Sequence, residues 1–275
     1  MPGRRPSALP AVLTGLLAGL AAGCVSSPVT PSFEADRYAD HVRVLASDDF
    51  EGRRPATPGE DKTITYLEQE FRRAGLQPGA SGSFRQPVPL VELTTRPDAA
   101  LRISGTGGDT LLKYADDAVY WTKRVVPEFT LTDSEVVFVG YGIVEPAMGW
   151  NDYAGLDMRG KTAVILVNDP GFATGDPELF NGRAMTYHGR WTYKYEEAAR
   201  QGAAGAIIVH EEAPAAYPWE VLRNGAARPQ LAIDTPGEAT SLVGVEGWMT
   251  RDAAVKVFLA AGLDYDTVTA QAKST

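Results

Sequence analysis

Two short apolar runs separated by a helix-forming segment constrain this chain more than any other feature. Residues 162–167 (TAVILV) and 206–209 (AIIV) are built almost wholly from aliphatic and β-branched side chains. Runs of this length are too short for helices and too apolar for loops, so both are expected to be buried strands. Between them, residues 193–201 (YKYEEAARQ) read as a helix stopped by Gly202. Gly160 and Lys161 are placed in the turn that launches the first strand, and Gly205 where the backbone turns tightly into the second. The expected core is strand–helix–strand, with a long loop over residues 171–190 thrown out on one side. The fold class that follows is α/β in its mixed, α+β form.

Shorter elements surround this core. Residues 33–46 place Tyr38, Val42 and Leu45 on one helical face. Thr57 as N-cap, Pro58 at the first helical position and Glu60 completing a capping box predict a second helix. Along it Ile64, Leu67, Phe71 and Ala74 form an apolar stripe that Gly75 ends, and Arg72 and Arg73 suit its C-terminal turn. Residues 84–121 hold short hairpin or edge strands broken by Gly and Pro, at FRQPVPLVEL, ALRISG and AVYWT. QLAID at 230–234 is expected to be the last strand. An amphipathic helix over 248–261 follows, with Ala254, Val257, Phe258 and Ala261 on one face, then a short helix from Asp264.

At 275 residues the chain holds one large domain or two ordinary ones, and 44% hydrophobic against 22% charged residues suffices for a buried core. The net charge of −9, with no basic stripe, argues against nucleic acid as a partner. Arg4 and Arg5 precede an apolar stretch over 9–22 that is too short to span a bilayer comfortably. It ends in LAAGC, at Cys24, the only cysteine, which therefore has no internal disulfide partner. This pattern resembles the bacterial lipoprotein signal. The resemblance implies an export signal over 1–23, lipid attachment and membrane anchoring at Cys24, and a periplasmic or outer-surface location. Ordinary secretion with a chance cysteine is the other reading. The Ser/Pro segment at 24–32 is a tether.

The residues themselves nominate no catalytic and no metal-binding group. His210-Glu211 hints at a His-Glu-x-x-His zinc helix, but Ala213 and Pro214 interrupt it, which leaves His210 as a strand-end polar residue. His188 lies in the long loop, and His41 on the first helix is expected to be solvated. GASGS at 79–83 lacks the last glycine of a nucleophile elbow, and GTGGD at 105–109 lacks the third glycine and the helix of a phosphate cradle. The acid pairs Asp48–Asp49, Asp116–Asp117, Glu196–Glu197 and Glu211–Glu212 are read as solvated surface, since sequence neighbours do not face each other across a cleft. Trp191 and Tyr195, four apart, are expected to pack the helix onto the sheet.

Longer stretches carry a family likeness. EVVFVGYGI, NDYAGLDMRGKTAVILVNDPG and GRAMTYHGRWTYKYEEAARQGAAGAIIVHE look like the protease-associated (PA) domain inserted in exported zinc exopeptidases. LASDDFEGRRPATPGEDKTITYLEQEFRRAGLQP, with Gly52-Arg53 before a helix ending in Gly75-Leu76, resembles the opening of the peptidase domain in the same family, the co-catalytic di-zinc aminopeptidases and their carboxypeptidase relatives. The resemblance implies the start of an α/β zinc-peptidase domain (33–125), interrupted by a PA domain of short strands and packed helices (126–246). Residues 247–275 would return toward the catalytic part. It also implies two zinc ions and a peptide substrate for the full-length enzyme. The family's His-x-Asp and Glu-Glu ligands have no counterpart here, so this chain alone is expected to bind no zinc and to be inactive. The alternative is a short lipoprotein whose PA domain is a non-catalytic binding or lid module. A carboxylate-pair glycosidase rests only on abundant acids and aromatics.

Overall fold

The structure is a computed structural model that describes residues 33–79, 81–96, 100–234 and 241–273. The leader, Cys24 and the tether lie outside the described residues. The chain forms two compact units, which divide between Gln86 and Pro87.

The first unit contains helices α1 (Ala35–Leu45) and α2 (Pro58–Arg73), with a 3-10 segment between them. Of its two helices only Gly59 is fully buried. A Cβ there would stand 2.3 Å from the Phe50 carbonyl oxygen, so the helix start fits against the 3-10 segment only because the side chain is missing. The apolar stripes stay largely in solvent, with Leu67 36% and Phe71 41% exposed. The capping box forms in altered geometry. Glu60 accepts from the Ala56 N–H at 2.5 Å, one residue before the cap. The Thr57 hydroxyl turns away to donate to the Arg54 carbonyl. His41, expected to be solvated, is only partly so, since its Nδ1 lies 2.6 Å from the Tyr66 hydroxyl and ties α1 to α2.

The second unit begins with β1 (Leu90–Leu93), β2 (Leu101–Gly105), β3 (Gly108–Leu112) and β4 (Ala118–Trp121). Next come β5 (Val136–Phe138), β6 (Val144–Glu145), β7 (Trp150–Asn151), β8 (Thr162–Leu166) and α3 (Pro170–Thr174). After them stand α4 (Trp191–Arg200), β9 (Gly205–His210), α5 (Glu212–Ala215), α6 (Trp219–Ala226) and β10 (Gln230–Ile233). The unit ends with β11 (Val245–Thr250), α7 (Arg251–Ala260) and α8 (Tyr265–Gln271).

Five of these strands make the main sheet, in the order β4-β11-β9-β8-β5. β5, β8, β9 and β11 run parallel, and β4 closes one edge antiparallel to β11. β8 and β9 are buried at every residue, as strands covered on both faces must be. Alternation splits them between two cores. Val164, Leu166, Ile207, Val209 and Met249 face one side with Val257 and Phe258 of α7. Ala163, Ile165, Ala206, Ile208 and Trp248 face the other with Tyr195 and Ala198 of α4.

Three expectations are corrected. Residues 248–250 are strand, not helix, because pairing with both β9 and β4 completes the sheet; α7 starts afterwards, capped by the Thr250 hydroxyl accepting from the Ala253 N–H. β10 is therefore not the last strand. The glycines at 105–108 close a hairpin between β2 and β3, where Gly105 faces Gly108. Gly205 makes no turn. It is the first residue of β9, and a Cβ there would stand 2.9 Å from Leu131 Cδ2 and 3.2 Å from Thr162 Oγ1, so close packing selects glycine. Gly160 does occupy the left-handed turn expected of it, at φ 74°.

Candidate functional site

Three parallel strands end side by side, and each delivers a polar residue to the same edge. After β5 the chain turns through Gly140 and Gly142, at φ 57° and 62°, and presents Tyr141 between them. The turn stays in register with β8, because the Leu166 N–H donates to the Gly140 carbonyl at 2.8 Å. After β8 come Asn168 and Asp169, and after β9 comes Glu211. Ligands of open parallel sheets bind at such carboxyl ends.

Asn168 adopts φ 70°, a left-handed conformation that asparagine tolerates better than most residues. Its amide donates to the Pro214 carbonyl at 2.8 Å, and its Oδ1 accepts from the Asp169 N–H at 2.9 Å. Asp169 is fully buried and accepts from the Thr186 hydroxyl at 2.8 Å and the Thr186 N–H at 3.2 Å. Those contacts pin the long loop back onto the strand end.

Below this edge lies Lys194 of α4, with no exposed surface. Its Nζ donates to the Tyr141 carbonyl at 2.6 Å. Burial pushes its pKa down to about 7 against the opposing pull of Asp152 and Asp169. Asp152 in turn accepts from the Ile143 N–H at 2.8 Å, and burial raises its pKa. The loop carrying Tyr141 is thus held by one buried lysine and one partly buried acid.

Two cavities open on the edge. One, of about 320 Å3, is lined by Tyr141, Asn168, Asp169, Phe172, Glu211 and Tyr265 among others. The second, wider, of about 520 Å3, is lined by His210, Glu211, Trp219 and Arg251 among others. They share Glu211 and Pro214. Glu211 accepts from the Tyr265 hydroxyl at 3.2 Å and lies 3.5 Å from Arg251 Nε.

The histidines make separate local contacts. His210 ends β9 as expected, 4% exposed, and its Nε2–H donates to the Tyr217 carbonyl at 3.0 Å. Desolvation lowers its pKa, so it is neutral at pH 7. Glu212–Ala215 is one helical turn, too short for a zinc helix. His188 meets Glu145 at 3.2 Å with its ring edge-on to Tyr193. Among the described residues no three His, Cys, Asp or Glu side chains are grouped as a metal ion requires. The donors present do not fit the two zinc ions that the family likeness implies.

Two further readings are corrected. Glu197 is buried rather than solvated, because Arg200 and Gln201 of its own helix end bind it at 2.8 and 2.7 Å. Trp191 is 40% exposed, and it is Tyr195, whose hydroxyl donates to the Gly247 carbonyl at 2.7 Å, that seats α4 on the sheet. Tyr141, Asn168, Asp169 and Lys194 were not candidates from the sequence. A polar residue within three positions of the end of β5 or β8 was the available signal for the first three. Lys194 left none.

No protein-family model matches the sequence, and no curated relative does. Among solved structures the chain is similar to an aminopeptidase from Aneurinibacillus sp. strain AM-1, at 20% identity and a TM-score of 0.33. The match covers 84% of this chain and 42% of that one. At these values the likeness assigns neither topology nor activity. The chain spans less than half the length of that aminopeptidase.

Proposed function

We propose that this chain is the PA-domain portion of an exported, lipid-anchored zinc exopeptidase, of aminopeptidase type, and that it contributes a binding or lid surface rather than zinc ligands. The observation that carries the reading is how the second unit uses its buried ionisable groups. Lys194, Asp152 and Asp169 bind loop backbone, and Glu246 accepts from Trp121 Nε1 at 3.1 Å and from Lys123 at 2.8 Å. Groups committed in this way hold a scaffold and its rim in shape; they are not poised for proton transfer or metal ligation. The PA-like and peptidase-like stretches, in their family order, supply the wider context. The second reading, a lipoprotein in which the same module works without catalysis, shares this observation.

Zinc content and hydrolysis of aminoacyl-anilide substrates, measured on the product of the complete reading frame and on the 275-residue chain, separate the possibilities. The expected result is two zinc ions and hydrolysis in a longer product carrying a His-x-Asp, and neither in the chain alone. Two tightly held zinc ions in the 275-residue chain would overturn the assignment of its histidines. A frame ending at Thr275 with inert product leaves the binding module.

A further inference from the structure

We propose that the smaller cavity at the carboxyl ends of β5, β8 and β9 binds a primary ammonium group, the free α-amine of a peptide or amino acid, between the Tyr141 hydroxyl and the carboxylate of Glu211. The inference rests on the reading of this unit as a binding module and names what it binds.

Tyr141 is the first support. The residue is only 4% exposed, yet it lines the cavity and its hydroxyl makes no hydrogen bond among the described residues. Desolvation raises the Tyr141 pKa, and the charges of Glu211, Asp169 and Asp152 add to the rise.

The free valences match an ammonium. Glu211 commits one oxygen, Oε1, to Tyr265 and Arg251, and its Oε2 has no partner among the described residues. Asp266 at the mouth is held by Arg251 at 2.6 Å, and Lys273 lines the rim. Phe172 also lines the cavity, whereas the Tyr141 and Tyr265 rings already face Lys194 and Arg251 at 5.9 and 5.1 Å. A divalent metal is a poorer fit, because no three suitable donors are grouped there among the described residues. A volume of about 320 Å3 accommodates one amino-acid residue, with Leu166, Ala173 and Pro214 available to its side chain.

The test is calorimetric titration of the full chain at pH 7 with leucinamide, Leu-Gly-Gly and N-acetyl-leucinamide. Both free amines are expected to bind and the acetylated compound at least tenfold more weakly. Binding by leucinamide alone identifies a single aminoacyl unit as the ligand, and binding by both identifies a peptide end. Tyr141→Phe, which keeps the ring, is expected to weaken binding at least tenfold, and Glu211→Gln to do the same if Tyr141→Phe fails to fold by circular dichroism. Equal binding of the acetylated compound, no heat from either amine, or unchanged affinity in a folded variant would overturn the proposal. Failure here with a hydrolytic full-frame product sinks this inference alone, and amine binding without such a product sinks the peptidase reading alone.

Discussion

Lys194 carries an ammonium group to a place water does not reach, and its neighbours only partly compensate. Its folded pKa of about 7 lies below the usual 10.5, so between these values the unfolded chain binds the extra proton and stability rises with pH. The cost of burying the charge is complete below pH 7 and is relieved as pH climbs toward 10.5. The melting temperature is therefore expected to rise between pH 7 and 9.5, and Lys194→Met is expected to flatten that rise; an unchanged slope in the variant would refute it. Tyr153 makes the converse case. Its hydroxyl is buried with no hydrogen-bond partner, and burial raises its pKa. Tyr153→Phe is expected to leave stability unchanged or raise it by about 1 kcal/mol in urea unfolding, since only an unsatisfied group is removed. Neither residue betrayed itself in the sequence, because lysine is ordinarily exposed and a tyrosine's place in the chain does not show whether its hydroxyl is satisfied.

At the level of elements, the parts read correctly were those whose pattern depends on local chemistry. β8, β9 and α4 were legible because unbroken aliphatic runs and a glycine stop have few alternatives. β11 was not, because VEGWMT runs straight into a helical pattern and only its register against β9 and β4 distinguishes the two. β3 was overlooked because GDTLL concentrates its apolar residues at one end. The hairpin it forms is held against α7 through bare backbone. The Gly107 N–H donates to the Ala260 carbonyl at 2.7 Å, and a Cβ on Gly105 would come within 2.2 Å of that same oxygen. Gly105→Ala is expected to cost about 1–3 kcal/mol by overpacking, read as faster hydrogen exchange in residues 101–112. Exchange unchanged there would mean that the hairpin does not depend on this contact.

For the molecule as a whole, the distribution of burial differs sharply between the units. The second unit has two cores, one on each face of its sheet. The first leaves Tyr38, Val42, Leu67 and Phe71 substantially exposed. Apolar stripes on that scale favour association, and the chain is expected to self-associate in light scattering at high concentration. The double substitution Leu67→Lys and Phe71→Lys is expected to return it to a monomer; a wild-type monomer at high concentration would count against this. The stripe was legible in the sequence, since its spacing needs only the helical period, whereas the cavity required three strand ends to be brought side by side.

The bond from Lys194 to the Tyr141 carbonyl gives the molecule a built-in timer. An amine-reactive reagent labels surface lysines at once, but it meets Lys194 only in the moments when α4 and the Gly140–Gly142 turn part company. Even a half-neutral, nucleophilic amine at pH 7 has no competing route to the reagent. The labelling rate of this one side chain, followed by mass spectrometry, therefore counts openings of the strand-end crevice directly, and a ligand that fills the crevice should slow the count.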